Sequence, residues 1–146
     1  MTRIDFHFNA TDKLAYACRL ARKARAAGSL LVFYSSDAAF LAALDRDLWT
    51  FSALDFLPHV FAADPLAAVT PILLANAAQG ESSTLAHHDV LVNLDRSQPA
   101  FFSRFERMID VVEANDEDRV AGRARWQFYK DRGYALTRHD LAKAAQ

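Results

Sequence analysis

The order of apolar patterns along the chain predicts an α/β fold. Short apolar runs alternate with longer segments in which apolar residues recur at helical spacing, and this alternation is typical of helices packed on a parallel sheet. The chain has 146 residues, of which 52% are hydrophobic and 12% aromatic, so it is large and apolar enough to bury one core. We therefore predict one Rossmann-like domain over residues 1–146, with helices on both faces of a mostly parallel sheet of about five main strands.

In the first half of the chain, a strand pattern followed by a helix pattern occurs twice. Residues 3–9 alternate apolar and polar side chains, and residues 30–34 form an unbroken apolar run, as expected for a strand covered on both faces. Asp12 and Asp37 stand at positions where they cap the start of a helix. The predicted elements are a strand over residues 3–9, a helix that ends at Gly28, a strand over residues 30–34 and a helix that reaches Trp49.

The second half of the chain holds the remaining predicted strands. Pro58 has no N–H to donate to a sheet, so residues 56–59 are predicted to be extended near a sheet edge. The apolar runs 72–74, 89–94 and 109–112 predict strands. The other predicted segments are a loop over residues 75–88, a helix whose apolar face is Phe101, Phe102, Phe105 and Met108, and a last helix over residues 116–132.

The last helix carries cations and a large aromatic side chain on one face. At about 100° per residue, Arg119, Arg123 and Lys130 fall in one narrow sector, with Trp126 beside them. Acidic residues in the first turn and Gly133 after the end match the rules for a helix start and stop. The far side is apolar and is expected to pack on the domain; it consists of Val120, Ala121, Ala124 and Phe128.

Glycine positions exclude the common nucleotide and nucleophile motifs. The glycines are Gly28, Gly80, Gly122 and Gly133, and no two lie closer than eleven residues. A Walker phosphate loop, a dinucleotide fingerprint and a nucleophile elbow each need glycines much closer together. We therefore predict no nucleotide-binding loop and no cofactor.

The titratable residues suggest no metal or catalytic cluster. His87 and His88 are adjacent, so on a strand their side chains point to opposite faces and do not readily chelate together. Cys18 is the single cysteine and lies on the apolar side of a helix, where a buried, unreactive thiol is expected. Asp45 and Asp47 flank a helix end and are expected to face solvent. We predict a protein without a catalytic site.

Charge and hydropathy limit the partners and the location. The formal net charge is −1, so little or no direct nucleic-acid binding is expected. No apolar run approaches the roughly 18 residues that a membrane span needs, and the N-terminus lacks the order of regions of a signal peptide. We expect a soluble, cytoplasmic protein that does not bind membranes.

Several motifs along nearly the whole chain resemble one protein family in their order and spacing. They are Leu44-Asp-Arg-Asp-Leu-Trp49, Phe56-Leu-Pro-His59, Val92-Asn-Leu94, Phe105-Glu-Arg107, Val111-Val-Glu113 and Arg123-Ala-Arg-Trp-Gln-Phe-Tyr-Lys-Asp-Arg-Gly-Tyr134. Together these motifs resemble the chi subunit of bacterial DNA polymerase III. The resemblance implies a non-catalytic accessory of the clamp-loader complex, with a nucleotide-binding-like α/β fold that has no nucleotide site.

The resemblance implies a site for the acidic C-terminal tail of single-stranded DNA-binding protein, which ends in an apolar residue with a free carboxylate. Arg123 and Trp126 match the family's tail-binding arginine and aromatic residue. An arginine offers bidentate donors to a carboxylate, and the ring covers an apolar side chain. Arg119 and Lys130 would add charge at the rim, whereas Gln127 replaces a lysine of the family.

The resemblance implies a second partner, the psi subunit, with which members of the family form a one-to-one complex. Psi ties these proteins to the clamp loader. Trp49 and Phe56 match the positions that the family uses for psi. Pro58 and His59 are expected to shape this segment without contacting the partner.

Other interpretations of these residues stay open at the level of sequence. Trp126 and Tyr129 could pack inward and leave only the arginines exposed, and Trp49 and Phe56 could belong to the core. Two other functions are a small nucleotide-binding α/β enzyme, favoured only by analogy of fold, and direct binding of single-stranded DNA on the basic and aromatic helix face.

Overall fold

Within residues 1–52, 56–81 and 85–144, which the computed structural model describes, a seven-stranded parallel sheet carries helices on both faces. The strands are β1 (Arg3–Ala10), β2 (Leu31–Tyr34), β3 (His59–Phe61), β4 (Ile72–Ala75), β5 (Val90–Asn93), β6 (Arg107–Glu113) and β7 (Leu136–Asp140). The helices are α1 (Lys13–Ala27), α2 (Ala38–Thr50), α3 (Ala77–Glu81), α4 (Asp116–Asp131) and α5 (Leu141–Ala144). The strand order is β3-β4-β2-β5-β6-β1-β7, and all neighbours are parallel. The predicted α/β class is confirmed.

The sheet has seven strands where the sequence predicts about five, and the two additional strands lie at its edges. β3 begins directly after Pro58, within the stretch predicted to be extended near a sheet edge. β7 has no apolar signal in the sequence, because its residues are mostly polar and its three central side chains are exposed. Edge strands need little apolar surface, so hydropathy misses them.

Side-chain caps fix the ends of the first two helices as predicted. The Asp12 carboxylate accepts a hydrogen bond from the Ala15 N–H at 3.1 Å, and Asp37 accepts one from the Ala39 N–H at 3.0 Å. Gly28 ends α1 with a φ of 72°, in the left-handed region that glycine adopts without strain. The starts of both helices and the end of α1 are therefore confirmed.

The short helix α3 lies inside the segment that the sequence predicts as a loop. The Gln79 N–H donates to the Asn76 side chain at 3.0 Å, and the Asn76 N–H donates to the Gln79 side chain at 3.1 Å. These reciprocal bonds form a capping box, which starts a helix even where the composition is small and polar. The loop prediction is wrong over this part.

The predicted helix with Phe101 and Met108 on its apolar face is also wrong. The segment makes only one 3₁₀ turn, Phe102–Arg104, and Met108 lies in β6. Phe101, Phe102 and Phe105 are nevertheless buried, because the turn folds their rings into one apolar cluster. A spacing typical of a helix face arises here from a compact turn.

Two apolar layers lie on opposite faces of the sheet. α1 and α2 cover side chains such as Leu31 and Phe33, and α4 covers Ile4 and Phe6. Cys18 is buried in the first layer, where burial raises the pKa of its thiol to about 11, as expected for an unreactive cysteine. Among the described residues, no helix combines the length and apolar character that a bilayer crossing requires.

The inward face of α4 differs from the apolar face predicted for it. Val120 is 63% exposed and Ala124 is also exposed, although both are expected to pack on the domain. The buried residues of this helix are Asp118, Gly122, Arg125 and Tyr129. The prediction is wrong because the buried charged side chains of α4 have partners inside the protein. The spacing of apolar residues along a helix cannot predict such ion pairs.

A buried ion pair holds α4 against β6. Arg125 donates through Nη2 to Asp110 Oδ1 at 2.8 Å and through Nε to Oδ2 at 3.0 Å, and neither side chain is more than 1% exposed. The Tyr129 hydroxyl and the Asn93 amide donate to the same carboxylate at 3.3 and 3.4 Å. Nη1 of Arg125 donates to the Arg96 carbonyl at 2.6 Å. The pair thereby fixes the rotation of α4 about its axis.

We expect Arg125→Met to lower the free energy of unfolding by about 3–5 kcal/mol, because it leaves the Asp110 carboxylate buried without its cation. Urea titration at pH 7 measures the loss. The matched control, Arg123→Met, changes an exposed arginine of the same helix and should alter stability by less than about 0.5 kcal/mol. The double variant Asp110→Asn with Arg125→Met should recover part of the loss, since no charge then stays buried. An effect of Arg125→Met no larger than that of the control would contradict this role.

Candidate protein-binding groove and aromatic edge

A groove of about 520 Å³ lies between α4 and the strands β1 and β7. Its lining residues are Phe6, Phe8, Asn9, Val112, Arg119, Gly122, Arg123, Trp126, Gln127 and Arg138. Phe6 and Val112 are buried and form an apolar base, whereas the three arginines are exposed and surround the opening. We call this feature the α4 groove.

The pairing of β1 with β7 brings an aromatic ring and a cation to the same place. Phe6 is in register with Arg138, and both side chains leave the sheet on the α4 face. The Trp126 ring meets Phe6 edge-on with the ring centroids 5.1 Å apart, and the Arg138 guanidinium carbon lies 5.9 Å from the Trp126 centroid. The indole is therefore held between an apolar base and a positive charge.

Gly122 allows α4 to approach β6 closely at the base of the groove. A Cβ atom on Gly122 would lie 2.9 Å from Cγ2 of Val112, which is shorter than ordinary carbon contacts. A larger side chain here would force either α4 or the Val112 side chain to shift. Gly122 therefore has a structural role at the base of the α4 groove, although it belongs to no nucleotide-binding motif.

Three of the four side chains predicted for the tail site come together in the α4 groove. Arg119, Arg123 and Trp126 line it, whereas Lys130 is exposed and is not part of the lining. Tyr129 is fully buried, so the inward alternative is correct for this residue. Trp126 is only half-buried and stays accessible from the groove.

The cations of the groove are not neutralised by neighbouring acids. Arg119 makes one 3.4 Å contact with the exposed Asp116, and such a surface pair contributes little in water. In the described ranges, the side chains of Arg123 and Arg138 form no hydrogen bond or ion pair with the protein. Their guanidinium groups are therefore available to an anionic ligand.

The sequence prediction omits the part of the groove that comes from the sheet. Phe6 and Phe8 alternate on β1, and this signal predicts the strand but not the face that α4 covers. Arg138 lies on β7, which the sequence does not predict. These residues are remote from α4 in sequence, so only the topology reveals that they line one groove.

A second surface, which we call the aromatic edge, lies at the opposite end of the sheet and consists of Trp49, Phe56 and Phe61. Their side chains are 56%, 66% and 37% exposed. The rings of Trp49 and Phe56 contact each other with centroids 5.8 Å apart. A core role for Trp49 and Phe56 is therefore wrong, because both rings face solvent.

His59 attaches the aromatic edge to α2. The ring is 3% exposed, and its centroid lies 4.5 Å from that of Trp49. Its Nδ1 lies 2.6 Å from the Leu57 carbonyl oxygen, and its Nε2 lies 3.1 Å from both the carbonyl oxygen and Oδ1 of Asp45. Asp45 thus has a partner, contrary to the expectation that it only faces solvent. His59 shapes the segment from beneath its exposed rings.

α/β folds commonly bind ligands in the crevice at the carboxyl ends of the strands. In this chain, the cations in that crevice form ion pairs with an acidic side chain. Lys13 Nζ lies 2.9 Å from Asp118 Oδ2, and Arg96 Nε lies 3.0 Å from Asp118 Oδ1. Burial acts to raise the pKa of Asp118, but the Glu113 N–H and the two cations hold it below its usual value. Unlike the arginines of the α4 groove, these cations already have partners.

Comparison with known proteins identifies the family of this chain. The family model described as DNA polymerase III chi subunit, HolC, matches residues 1–137. The chain belongs to the DNA polymerase III chi subunit family. It is 33% identical over 147 residues to the DNA polymerase III subunit chi of Pseudomonas aeruginosa, covering 98% of this chain and 99% of the relative. It is also 26% identical to the protein of that name from Escherichia coli, over 82% of this chain and 79% of the relative.

Members of the chi family are accessory, non-catalytic subunits in DNA replication, so the prediction of a protein without a catalytic site is confirmed. Among solved structures, the chi-family chain is similar to the helicase domain of Hef from Pyrococcus furiosus, with a TM-score of 0.58 and 13% identity. The match covers 77% of this chain and 27% of the Hef chain. This similarity concerns the fold alone.

Proposed function

We propose that this chi-family protein connects two protein partners. The α4 groove binds the acidic C-terminal tail of single-stranded DNA-binding protein, and the aromatic edge binds the psi subunit, which links the protein to the clamp loader. The observation that carries the proposal is Arg123, whose side chain has no partner among the described residues, beside the accessible Trp126 in a groove whose other cations are also poorly compensated. Membership of the chi family supports the assignment of the two partners.

The chemistry of the α4 groove fits the end of an acidic peptide. A terminal carboxylate is best bound by a guanidinium group, because two parallel N–H donors match its two oxygens. Trp126 and Phe6 offer an apolar contact for the last side chain next to that carboxylate. Arg119 and Arg138 supply positive charge for the acidic residues that precede it. Since these charges are exposed, affinity should fall as the salt concentration rises.

The dimensions and charge favour a peptide end over a nucleic-acid strand. A groove of about 520 Å³ has the size of a site for a small molecule or a chain terminus. Single-stranded DNA needs a longer basic path with several stacking rings, and the chain as a whole has a net charge of −1. We therefore expect very weak binding of naked oligonucleotides at physiological salt.

The aromatic edge has the features of a protein interface. Exposed tryptophan and phenylalanine side chains are typical of interface positions whose truncation costs much binding energy. Trp49 and Phe56 contact each other and together offer one continuous apolar area to a partner. His59 is buried beneath them, which holds Trp49 in place before a partner arrives.

The first test measures binding of a labelled acidic peptide that ends in phenylalanine with a free carboxylate. We expect Arg123→Ala to weaken binding by about 10- to 100-fold, because hydrogen bonds to charged groups contribute about 1.5–3 kcal/mol. Arg138→Ala should weaken it less, since this residue adds charge beside the ring. Fluorescence anisotropy at two salt concentrations measures both effects.

Arg46→Ala is the matched control, because Arg46 is an exposed arginine on α2, remote from the α4 groove in the fold. The control should keep the affinity of the unaltered protein. A peptide with an amidated C-terminus should bind as weakly to the unaltered protein as the free peptide binds to Arg123→Ala. Equal affinity of Arg123→Ala and Arg46→Ala would refute the proposed tail site.

The second test separates the psi surface from the tail site. We expect Trp49→Ala to weaken the complex with psi by at least about tenfold, as truncation of a buried interface tryptophan does, while tail-peptide affinity stays the same. Arg123→Ala should show the opposite pattern. Calorimetry with purified psi and the peptide assay provide the two measurements.

Val120→Ser serves as the control for the loss of exposed apolar surface, since Val120 is 63% exposed on α4, at a distance from the aromatic edge. It should leave psi binding intact. Full psi binding by Trp49→Ala would rule out the aromatic edge as the psi surface.

A further inference from the structure

Outside both surfaces, two histidines and an aspartate converge on the face of the sheet that α1 covers. His7 of β1 is in register with His139 of β7, and Asp5 lies two residues before His7, so its side chain leaves the same face. One potential ligand atom from each side chain lies within 4.8 Å of the other two. Because the ligands come from two strands at opposite ends of the sequence, no spacing motif reveals them.

His7 presents a ring nitrogen that the protein leaves unused. Its Nδ1 lies 2.5 Å from the Tyr16 hydroxyl, whereas its Nε2 is buried and has no hydrogen-bond partner among the described residues. A proton on Nε2 would be buried without an acceptor, which is costly. With the proton on Nδ1 and donated to Tyr16, Nε2 carries a lone pair. Histidine ligands of metals are usually oriented in this way, through a hydrogen bond from the other ring nitrogen.

We propose that Asp5, His7 and His139 form a binding site for a divalent transition-metal ion of the zinc class. Zn²⁺ binds imidazole nitrogen and carboxylate oxygen at about 2.0–2.2 Å in a tetrahedral arrangement, so its ligand atoms lie about 3.4 Å apart. The ligand atoms, which lie up to 4.8 Å apart, therefore have to approach one another by up to about 1.4 Å. His139 is exposed on an edge strand, where a change of rotamer provides this movement and leaves a fourth position open to water.

Arg107 orients one of the ligands and limits the affinity of the site. Its Nε and Nη2 each lie 2.6 Å from Asp5 Oδ2, and the Thr137 hydroxyl donates to Asp5 Oδ1. Hydrogen bonds of this kind hold a ligating carboxylate in one orientation. The guanidinium charge also repels a metal cation, so the site should exchange its ion readily.

The test is a calorimetric titration of the untagged 146-residue chain with Zn²⁺. We expect one ion per chain, and a loss of affinity of at least about tenfold in His139→Ala, since removal of a ligand costs more than removal of a group that orients one. His139 is exposed, so this variant should fold normally, and its thermal midpoint verifies that it does. The matched control is His88→Ala, which removes an imidazole outside the cluster and should keep the original affinity.

Three results would overturn the site. They are an unchanged Zn²⁺ affinity of His139→Ala, an equal loss in His88→Ala, and the absence of saturable binding by the unaltered protein up to about 1 mM Zn²⁺. A selective loss in His139→Ala supports it.

Discussion

The Asp110–Arg125 ion pair decides which side of α4 meets solvent, and the α4 groove depends on that choice. When Arg125 points into the protein, a rotation of about 100° per residue places Trp126 on the flank of the helix and Arg119 and Arg123 on the same side, slightly further round. Trp126 can then contact Phe6, while the Arg123 side chain has no polar partner within the described part of the chain. A helix that packed through Val120 and Ala124 would turn this side elsewhere. A buried charge pair therefore determines which residues line the proposed binding surface.

The parts of the fold that follow from local chemistry are predictable from the sequence. Asp12, Asp37 and Gly28 define helix ends through hydrogen bonds to residues nearby in the sequence. The buried strands are recognisable as short apolar runs. The inward face of α4 is not predictable in this way, because its stabilising partner, Asp110, lies on another element. From the sequence alone, a single arginine in a helix is predicted to face solvent, because the carboxylate that would neutralise it inside the protein is not known.

Both candidate surfaces include a strand at an end of the sheet, and this explains why only part of each surface is predictable from the sequence. β3 carries part of the aromatic edge and β7 carries Arg138 of the groove, yet both strands are short and only partly buried. From the sequence, helical spacing places Arg119, Arg123 and Trp126 on one side of a helix, and the family resemblance singles out Arg123, Trp126, Trp49 and Phe56. The two surfaces lie at opposite ends of the sheet, so the two proposed partners would contact different strands.

The contrast between two sets of cations argues for a protein ligand in the α4 groove. The chain has 17 basic and 18 acidic residues, so nearly every cation could find an acid. Lys13 and Arg96 do so at Asp118, in the crevice where related architectures bind ligands. Among the residues that the structure describes, the Arg123 and Arg138 side chains have no acidic partner, although one nearby would have stabilised them. Uncompensated guanidinium groups beside an accessible tryptophan support the proposal of an anionic partner with an apolar end.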